Sequence, residues 1–348
     1  MDSVREHMSH HDDPDEMPLL TEEARVAAVT AMDDDRSAAV RRETARVLRE
    51  LDAAHLVEAG DPPTVDWEGA ESLVDAGAGL AAKLSDLVER YRRPSPSLLS
   101  VRLREEGTPI DFVPGQYVTI RFHDTPRPYS IASSPNREYL ELCIRRVPGG
   151  RLTPDLFEAL DPGDEVVARG PNGDFVLDDP NARDLAFLAT GTGVAPLKSM
   201  VEYVFEEGLD VHEGTTRDVW VFLGCSWRDD LPYRERFREL AATHDNFHFV
   251  PTLSREEHLT QWDGETAYVQ ETFVKYLDAD ARERARSNLD ASLAPFLDAA
   301  PETDVDARID PSNLDVYSCG INAMVERLVD VARQVGVPPE RADGEGFG

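Results

Sequence analysis

The chain has 348 residues, of which 41% are hydrophobic, and a formal net charge of −32 at pH 7. This length suits two domains with an extension, and the apolar content is sufficient for a sizeable core. The negative charge argues against nucleic acid and anionic membranes as partners. No apolar run approaches the ~20 residues that a membrane span needs, so no membrane insertion is expected.

Arginine supplies almost all of the positive charge, because Lys83, Lys198 and Lys275 are the only lysines among 36 basic residues. A surface this acidic repels itself at low ionic strength, and the screening length falls from ~10 Å at 0.1 M salt to ~3 Å at 1 M. This excess of acidic residues with few lysines is similar to the composition of halophilic proteins. The alternative is an acidic mesophilic protein with no requirement for salt. The halophilic interpretation predicts an unfolding temperature that rises steeply with KCl.

Residues 1–92 are predicted to form an acidic, helical N-terminal extension. Residues 1 to about 20 favour disorder, and this segment lacks the apolar region of a signal peptide, so we expect a cytoplasmic protein. His7, His10 and His11 lie close together there, but a disordered tail is favoured over a metal site.

Two helices are predicted in the extension. Ser37 is the candidate cap of the first, which runs to Gly60. The second has apolar residues at alternating spacings of three and four, as in a coiled-coil seam. The seam consists of Ala70, Leu73, Gly77, Leu80, Leu84, Leu87 and Tyr91. We interpret the extension as a cap that packs on its own chain or on a twin.

Residues 93–181 begin with the break "RRPSPS" and change to short alternating segments separated by Gly, Pro and Asn. Six such segments predict the strands of a small antiparallel barrel. They are LLSVRL, QYVTIRF, YSIAS, YLELCIRRV, DEVVARG and DFVL.

Residues 182–348 change again, to near-continuous apolar runs separated by helical stretches. The runs LAFLAT, DVWVFLG, NFHFVPT and LDVYSCG are typical of buried parallel strands. Alternating strands and helices predict an α/β domain with a parallel sheet. Residues 278–312 interrupt the pattern with a helical insert that is rich in Ala and Arg.

The segment LATGTGVAPLKSM, in the first βα unit of this domain, predicts a phosphate site. Gly191 and Gly193 allow a tight turn and close approach of a ligand, and Pro196 suits the first turn of the next helix. Free N–H groups at a helix N-terminus attract phosphate.

A second candidate site follows at TLSRE and AYVQ. Ser254 and Arg255 end a predicted strand, where open α/β sheets bind ligands, and a hydroxyl beside a guanidinium suits the 2′-phosphate of NADP. Tyr268 is placed to stack on adenine or to bond that phosphate. A plain surface turn is the alternative.

The segment RPYSIASS in the barrel places a cation, a ring and a hydroxyl side by side. Arg127 offers a charge for a pyrophosphate, Tyr129 a face for an isoalloxazine, and Ser130 a hydrogen bond to the flavin nitrogen that accepts hydride. Gly149 and Gly150 would allow close approach of phosphates. Read alone, the segment is compatible with a simple barrel corner.

Together these segments resemble the ferredoxin–NADP reductase family, in family order, over residues 97 to 348. The matching pieces are RPYS, CIRR, GGRLT, GTGVAPLKSM, SRE, YVQ, CGINAM and EGFG. The resemblance implies a flavin-binding barrel followed by a Rossmann-like NADP-binding domain, with FAD and NADPH exchanging hydride at the cleft.

The resemblance also implies site residues. Ser130 would bond the flavin, Cys319 would press the nicotinamide towards it, Glu345 would support Ser130, and Phe347 would lie on the flavin ring. The implied cofactor-binding residues are Arg127, Pro128, Tyr129, Ser130, Cys143, Ile144, Arg145, Gly150, Arg151, Leu152, Thr153, Thr190, Gly191, Thr192, Gly193, Pro196, Ser254, Arg255, Tyr268, Gln270, Cys319, Gly320, Met324 and Phe347. Thr153 stands where the family often has serine, and Gly348 follows Phe347 where plant-type enzymes end on tyrosine.

The predicted function is transfer of hydride between NADPH and FAD and of single electrons to or from a carrier, with ferredoxin as the expected carrier. Three cysteines cannot supply the four ligands of an iron–sulfur cluster, and no metal site is predicted. Two alternatives stay open: reduction of free flavin or another small acceptor, or a flavin subunit of a larger redox complex docked by its N-terminal helices.

Overall fold

A computed structural model of the chain describes residues 4–6, 20–74, 79–123, 125–178 and 180–347. The predicted histidine-rich tail, Gly77 of the predicted seam and the terminal Gly348 lie outside these ranges. Within them, no helix combines the length and the apolar character that a membrane crossing requires.

The extension contains helices, as predicted, but also strands. Its elements are β1 (Val4–Glu6), β2 (Leu20–Ala31), α1 (Ser37–Glu50), β3 (Val57–Glu58), β4 (Thr64–Val65), α2 (Trp67–Glu71) and α3 (Leu80–Arg92). The first helix begins at Ser37 but ends at Glu50 instead of Gly60, because Asp52 adopts a left-handed backbone conformation. The second predicted helix is in fact two helices, α2 and α3.

One apolar core joins the extension to the C-terminal half of the chain. Leu48, Leu84 and Leu87 are fully buried in it together with Trp227. Trp227 follows the second large strand of the parallel sheet, so the helices of the extension pack on their own chain.

The barrel is a six-stranded antiparallel sheet, as predicted. Beside β2 it contains β5 (Leu98–Glu105), β6 (Tyr117–Phe122), β7 (Thr125–Ser130), β8 (Leu140–Arg145) and β9 (Glu165–Asn172), with α4 (Thr153–Ala159) before β9. The strand order is β7-β6-β9-β2-β5-β8. A bridge between Ile131 and Leu142 brings the two edges of the sheet together and nearly closes the barrel.

One predicted barrel strand is wrong, and its place is taken by β2. The segment DFVL forms no strand; its Phe175 is fully buried in the core against the parallel sheet. Strand β2 pairs antiparallel with both β5 and β9, and its Ala24 and Val26 face the barrel core. Residues 20–31 are therefore part of the barrel, and a boundary at residue 92 does not separate them from it.

The second domain is a parallel sheet with helices on both faces, as predicted. In chain order its elements are β10 (Asp184–Thr190), α5 (Val194–Glu206), β11 (Val211–His212), β12 (Thr215–Thr216), β13 (Val219–Cys225), α6 (Arg234–Thr243), β14 (Phe247–Leu253), α7 (Val269–Lys275), α8 (Ala279–Ala285), α9 (Ala294–Leu297), β15 (Leu314–Ile321), α10 (Asn322–Gln334) and β16 (Ala342–Phe347). The sheet order is β1-β16-β15-β10-β13-β14, and β11 and β12 form a separate hairpin.

The chain leaves β10 towards β13 and β14 and then returns to β15 on its other side. Open α/β sheets bind ligands outside the carboxyl ends of their strands at such a reversal. The predicted insert at 278–312 supplies α8 and α9, whose Ala281, Ala285 and Leu297 complete the core on one face.

Candidate active site

Two cavities lie where the barrel meets the parallel sheet. The first has a volume of about 490 Å³ and is mainly a barrel site. Its wall consists of Arg127, Pro128, Tyr129, Ser130, Cys143, Arg145, Val147, Gly150, Arg151, Leu152, Thr153, Thr192, Ala195 and Phe347. The structure thus brings almost all of the residues predicted for the flavin into one cavity, which we call the barrel cavity.

Strand β7 and the end of β8 form one side of the barrel cavity. Burial raises the pKa of Tyr129 to about 12, so the phenol stays neutral and offers an uncharged ring face. On β8, side chains alternate, so Cys143 and Arg145 reach the cavity whereas Ile144 is buried in the barrel core. The Ile144 side chain therefore points away from the barrel cavity, and the predicted role of Ile144 in cofactor binding would have to come from its backbone.

The turn that precedes α4 forms the other side. The backbone N–H of Val147 donates to the Thr153 hydroxyl at 2.9 Å, and the N–H of Gly150 donates to the Val147 carbonyl at 2.9 Å. A Cβ at Gly150 would lie 3.0 Å from that carbonyl oxygen, so the tight turn favours glycine. The hydroxyl of Thr153 thus holds the turn that shapes the wall.

The second cavity, of about 770 Å³, lies at the carboxyl ends of the parallel strands. Its wall consists of Arg93, Arg145, Thr190, Gly191, Thr192, Gly224, Cys225, Ser226, Asp230, Thr252, Ser254, Ala267, Tyr268, Val269, Gln270, Ile321, Ala323, Met324, Arg327 and Phe347. We call it the sheet cavity. It contains the predicted residues Thr190, Gly191, Ser254, Tyr268 and Gln270.

Three residues line both cavities: Arg145, Thr192 and Phe347. Arg145 ends β8 of the barrel, whereas Thr192 follows β10 and Phe347 ends β16 of the parallel sheet, so the two domains contribute jointly to this junction. Ligands in the two cavities would meet here, beside an aromatic ring and a fixed positive charge.

Several predicted site residues lie behind the wall. Cys319 is fully buried and Glu345 is 4% exposed. A Cβ at Gly193 would come within 2.4 Å of the Cys319 carbonyl oxygen, and one at Gly320 within 2.9 Å of Thr190 Oγ1. These two glycines let the loops after β10 and β15 approach each other. Pro196 is likewise buried, within α5.

Glu345 occupies a position that links the two domains. It pairs in register with Cys319, and its charge adds to burial in raising the pKa of Tyr117 to about 12. Tyr117 is in turn the register partner of Ser130 on β7. Glu345 thus lies near Tyr117, on the barrel strand that pairs with β7. Burial also keeps the Cys319 thiol protonated, since it raises the thiol pKa well above its usual value.

Arg255 is outside both cavities, contrary to its predicted place. Its Nε lies 3.1 Å from Asp86 Oδ1, and its Nη1 lies 2.7 Å from Glu89 Oε2. Both carboxylates belong to α3 of the extension, which sequence patterns do not connect with the sheet. The guanidinium is turned towards the extension because these charges face it.

Sequence reasoning also missed Arg93, which follows α3 and reaches the wall of the sheet cavity. Arg93 pairs with Asp230 Oδ1, and Arg145 Nη1 lies 3.4 Å from the same oxygen. Two guanidinium groups share one carboxylate, so the cluster has a net positive charge that suits phosphate. The segment RRPSPS carries no local signal for this role.

Comparisons with known proteins agree with this division. The oxidoreductase FAD-binding domain model matches residues 93–177, and the oxidoreductase NAD-binding domain model matches residues 187–330. Ferredoxin–NADP reductase B of Sorangium cellulosum is 30% identical over 250 residues, which cover 70% of this chain and 88% of that protein. The chain belongs to the ferredoxin reductase-like family of FAD- and NAD(P)-binding oxidoreductases.

Two other relatives of this ferredoxin reductase-like protein match over a smaller share of their own length. DmpP, the phenol 2-monooxygenase reductase component of Pseudomonas sp. CF600, is 32% identical over 66% of this chain and 62% of its own length. The phenol hydroxylase P5 protein of Acinetobacter pittii is 32% identical over 53% of this chain and 51% of its own. The chain thus spans about half to three fifths of these relatives.

Among solved structures, the Amycolatopsis cytochrome P450 reductase GcoB shares the fold with a TM-score of 0.61 and 23% identity, over 95% of this chain and 71% of that one. The ferredoxin NADP⁺ reductase of Neisseria gonorrhoeae gives a TM-score of 0.52 at 19% identity, over 73% of this chain and 93% of that one.

The residues present fit the two cofactors that the family binds. Both cavities fall in the size range of cofactor sites. The barrel cavity offers a neutral aromatic face at Tyr129, a hydroxyl at Ser130 and cations at Arg127 and Arg151, as a flavin with a pyrophosphate requires. In the sheet cavity, Gly191 has a φ of +50°, and a Cβ there would meet nothing within 4 Å, so the turn after β10 leaves open space beside its backbone for a ligand.

Proposed function

We propose that the protein is an FAD-dependent oxidoreductase that takes hydride from NADPH and passes single electrons to a carrier, with a ferredoxin as the carrier we favour. The observation that supports this most is the shared wall of the two cavities at Arg145, Thr192 and Phe347. Two cofactors bound at one junction can exchange hydride without a diffusing intermediate.

When bound, the flavin supplies the conversion between two-electron and one-electron chemistry. The chain's own residues bind and orient. Arg127 and Arg151 offer charge for phosphates, Ser130 offers a hydrogen bond at the ring, and Phe347 covers the junction and keeps water from it. Glu345, which lies near Tyr117 on the neighbouring strand, would help to position that hydroxyl.

The three thiols take no part as nucleophiles in this proposal. Burial raises the pKa of Cys143 and of Cys225 to about 12, and that of Cys319 also rises above its usual value. Each thiol therefore stays protonated at neutral pH, and Cys143 and Cys225 act as small apolar parts of the walls.

The proposal is tested on purified full-length protein. Flavin is released by denaturation and identified by chromatography, and reduction of the bound flavin by NADPH is followed at its visible absorbance band. We expect FAD, reduction within seconds, and onward transfer to a ferredoxin from a panel of purified carriers. Extraction of FMN, or failure of NADPH to reduce the bound flavin, would contradict the proposal.

The same assay separates the alternatives. Turnover with free flavin or quinone but with no ferredoxin would favour a reductase of small acceptors. The packing of the extension helices on Trp227 gives no support to docking of a larger complex by that apolar face. We also propose that the protein needs salt, so the assays should be run from about 0.1 to about 3 M KCl, and a flat unfolding temperature across this range would contradict that requirement.

A further inference from the structure

Arg255 stands beside the sheet cavity, but its side chain is turned away from it. Its N–H donates to the Ser226 carbonyl at 3.0 Å, and the N–H of Ser254 donates to the Cys225 carbonyl at 3.1 Å. The backbone at Arg255 is thus tied to the loop whose residues line the cavity, and Ser254 itself is part of the wall. Only the guanidinium lies elsewhere, between Asp86 and Glu89 on α3.

The chemistry of these two carboxylates is close to that of a phosphate monoester. An adenosine 2′-phosphate carries about −1.5 to −2 charges at pH 7, and Asp86 and Glu89 together carry a similar charge. Carboxylates and phosphates both accept charge-assisted hydrogen bonds from a guanidinium. Arginine near the end of this strand is the group that an NADP 2′-phosphate would use.

We propose that Asp86 and Glu89 act as an internal substitute for the 2′-phosphate, holding Arg255 on α3 and lowering the affinity for NADP(H) relative to NAD(H). This inference rests on the proposed function, because it concerns the nucleotide in the sheet cavity. Asp86 and Glu89 are positioning residues that set the coenzyme preference through Arg255.

We call the ion pairs of Asp86 and Glu89 with Arg255 the clamp. Its two carboxylates differ in their exposure to solvent. Asp86 is 19% exposed, and its other oxygen lies 2.9 Å from His258 Nδ1, whereas Glu89 is 63% exposed. Exposed ion pairs contribute little net free energy, so a bound phosphate can compete for the guanidinium. Exposed side chains also change rotamer quickly, so the exchange requires no movement of α3.

Helix α3 is anchored independently of this clamp. Arg90 of α3 forms a buried ion pair with Asp229, and Leu84 and Leu87 pack with Trp227. Removing the charges of Asp86 and Glu89 should therefore leave the extension in place. An effect on nucleotide binding would then come from Arg255 and from the lost repulsion towards phosphate.

The test compares the wild type with Asp86→Asn/Glu89→Gln, as full-length flavoprotein. Calorimetric titration with 2′,5′-ADP and with 5′-AMP measures binding without any turnover. We expect 2′,5′-ADP to bind about tenfold more tightly to the variant, equivalent to about 1.4 kcal/mol, and 5′-AMP to bind unchanged. Adding Arg255→Ala to the double variant should abolish the gain.

The matched control is Glu68→Gln/Glu71→Gln, which also removes two negative charges from the extension, but from α2 instead of α3. An equal gain in this control, or an equal gain for 5′-AMP, would reduce the effect to general charge and overturn the clamp. Unchanged discrimination in the Asp86/Glu89 variant would overturn it too, while leaving the proposed function intact. Failure of both nucleotides to bind to the wild type would overturn both. Should the double variant fold poorly, Glu89→Gln alone repeats the test at the more exposed carboxylate.

Discussion

The barrel cavity and the sheet cavity are built in different ways. The barrel cavity is made largely of two short segments, one around Arg127–Ser130 and one around Gly150–Thr153, whose members are adjacent in sequence. The sheet cavity collects short runs and single residues at or after the ends of five parallel strands, and adds Arg93, which directly follows the extension. Local motifs therefore identify the first cavity well, whereas the charges of the second are decided by residues far apart in the chain.

All three lysines form ion pairs with carboxylates away from the two cavities. Lys198 pairs with Glu141 and Glu202, and Lys275 pairs with Glu265, all of them buried. Lys83 pairs with Glu43 and is mostly covered. The lysines thus neutralise interior carboxylates, and the positive charge at both cavities comes from arginine.

The largest expected effect concerns the attachment of the extension beside the sheet cavity. Glu256 is fully buried and accepts two hydrogen bonds from Arg36 at 2.8 Å, with others from the Arg228 N–H and the Thr260 hydroxyl. Without the Glu256 charge, Arg36 and Arg90 would share Asp229, which leaves one positive charge of this buried cluster uncompensated. We expect Glu256→Gln to lower the free energy of unfolding at pH 7 by about 3 kcal/mol, measured with urea.

The pH dependence of this loss has a definite sign. Burial alone would raise the pKa of Glu256, but the bonds from Arg36, Thr260 and Arg228 outweigh it and lower the pKa below the ordinary 4.5. The stabilisation is therefore complete above the ordinary value and is lost as the pH falls through the folded value. The gap between wild type and variant should shrink at acidic pH; a gap independent of pH would contradict this account.

The next effect concerns the barrel cavity alone. Arg127→Ala should weaken flavin binding by about 1.5–3 kcal/mol, because a charge-assisted bond to phosphate is lost. Flavin fluorescence on dilution measures the release. Arg121→Ala, an exposed position on the neighbouring strand and outside the cavity wall, is the control and should keep its flavin. Equal release from both variants would show that the effect is not local.

The sheet cavity should respond differently. We expect Arg93→Ala to weaken the binding of NADP⁺ and of NAD⁺ by the same factor, about tenfold or about 1.4 kcal/mol, because we assign its guanidinium to a phosphate that both coenzymes carry. Titration of the oxidised flavoprotein with each coenzyme measures this. The neighbouring Arg92, which pairs with Glu71 on the surface, provides the control Arg92→Ala. A change in the ratio between the coenzymes would assign Arg93 to the 2′-phosphate instead.

The smallest effect concerns the junction of the two cavities. An aromatic ring stacked on the flavin contributes about 0.5–1.5 kcal/mol and occupies the place of the nicotinamide. Phe347→Ser should therefore tighten binding of both coenzymes by up to about tenfold and narrow the difference between them. The charge-transfer band on titration with NADP⁺ measures this. Identical spectra and affinities in wild type and variant would show that the Phe347 ring does not stack on the flavin.

Sequence by itself determined the barrel, the parallel sheet and most of the barrel cavity. Strand alternation and the turn residues at Gly150 act over a few positions, and RPYS places a cation, a ring and a hydroxyl within four positions of one strand. Even so, one residue of CIRR does not face the barrel cavity. Because side chains alternate along the strand, Ile144 points into the barrel core, whereas Cys143 and Arg145 line the cavity.

Tertiary structure alone decided the role of the extension. Strand β2 completes the barrel through partners at β5 and β9, and such non-local pairing leaves no mark in a local pattern. Arg255 and Ser254 adjoin in sequence, yet only Ser254 meets the cavity, because Asp86 and Glu89 reach Arg255 once α3 has docked. The sequence specifies the type of each side chain, but its charged neighbours depend on which distant elements pack beside it in the folded chain.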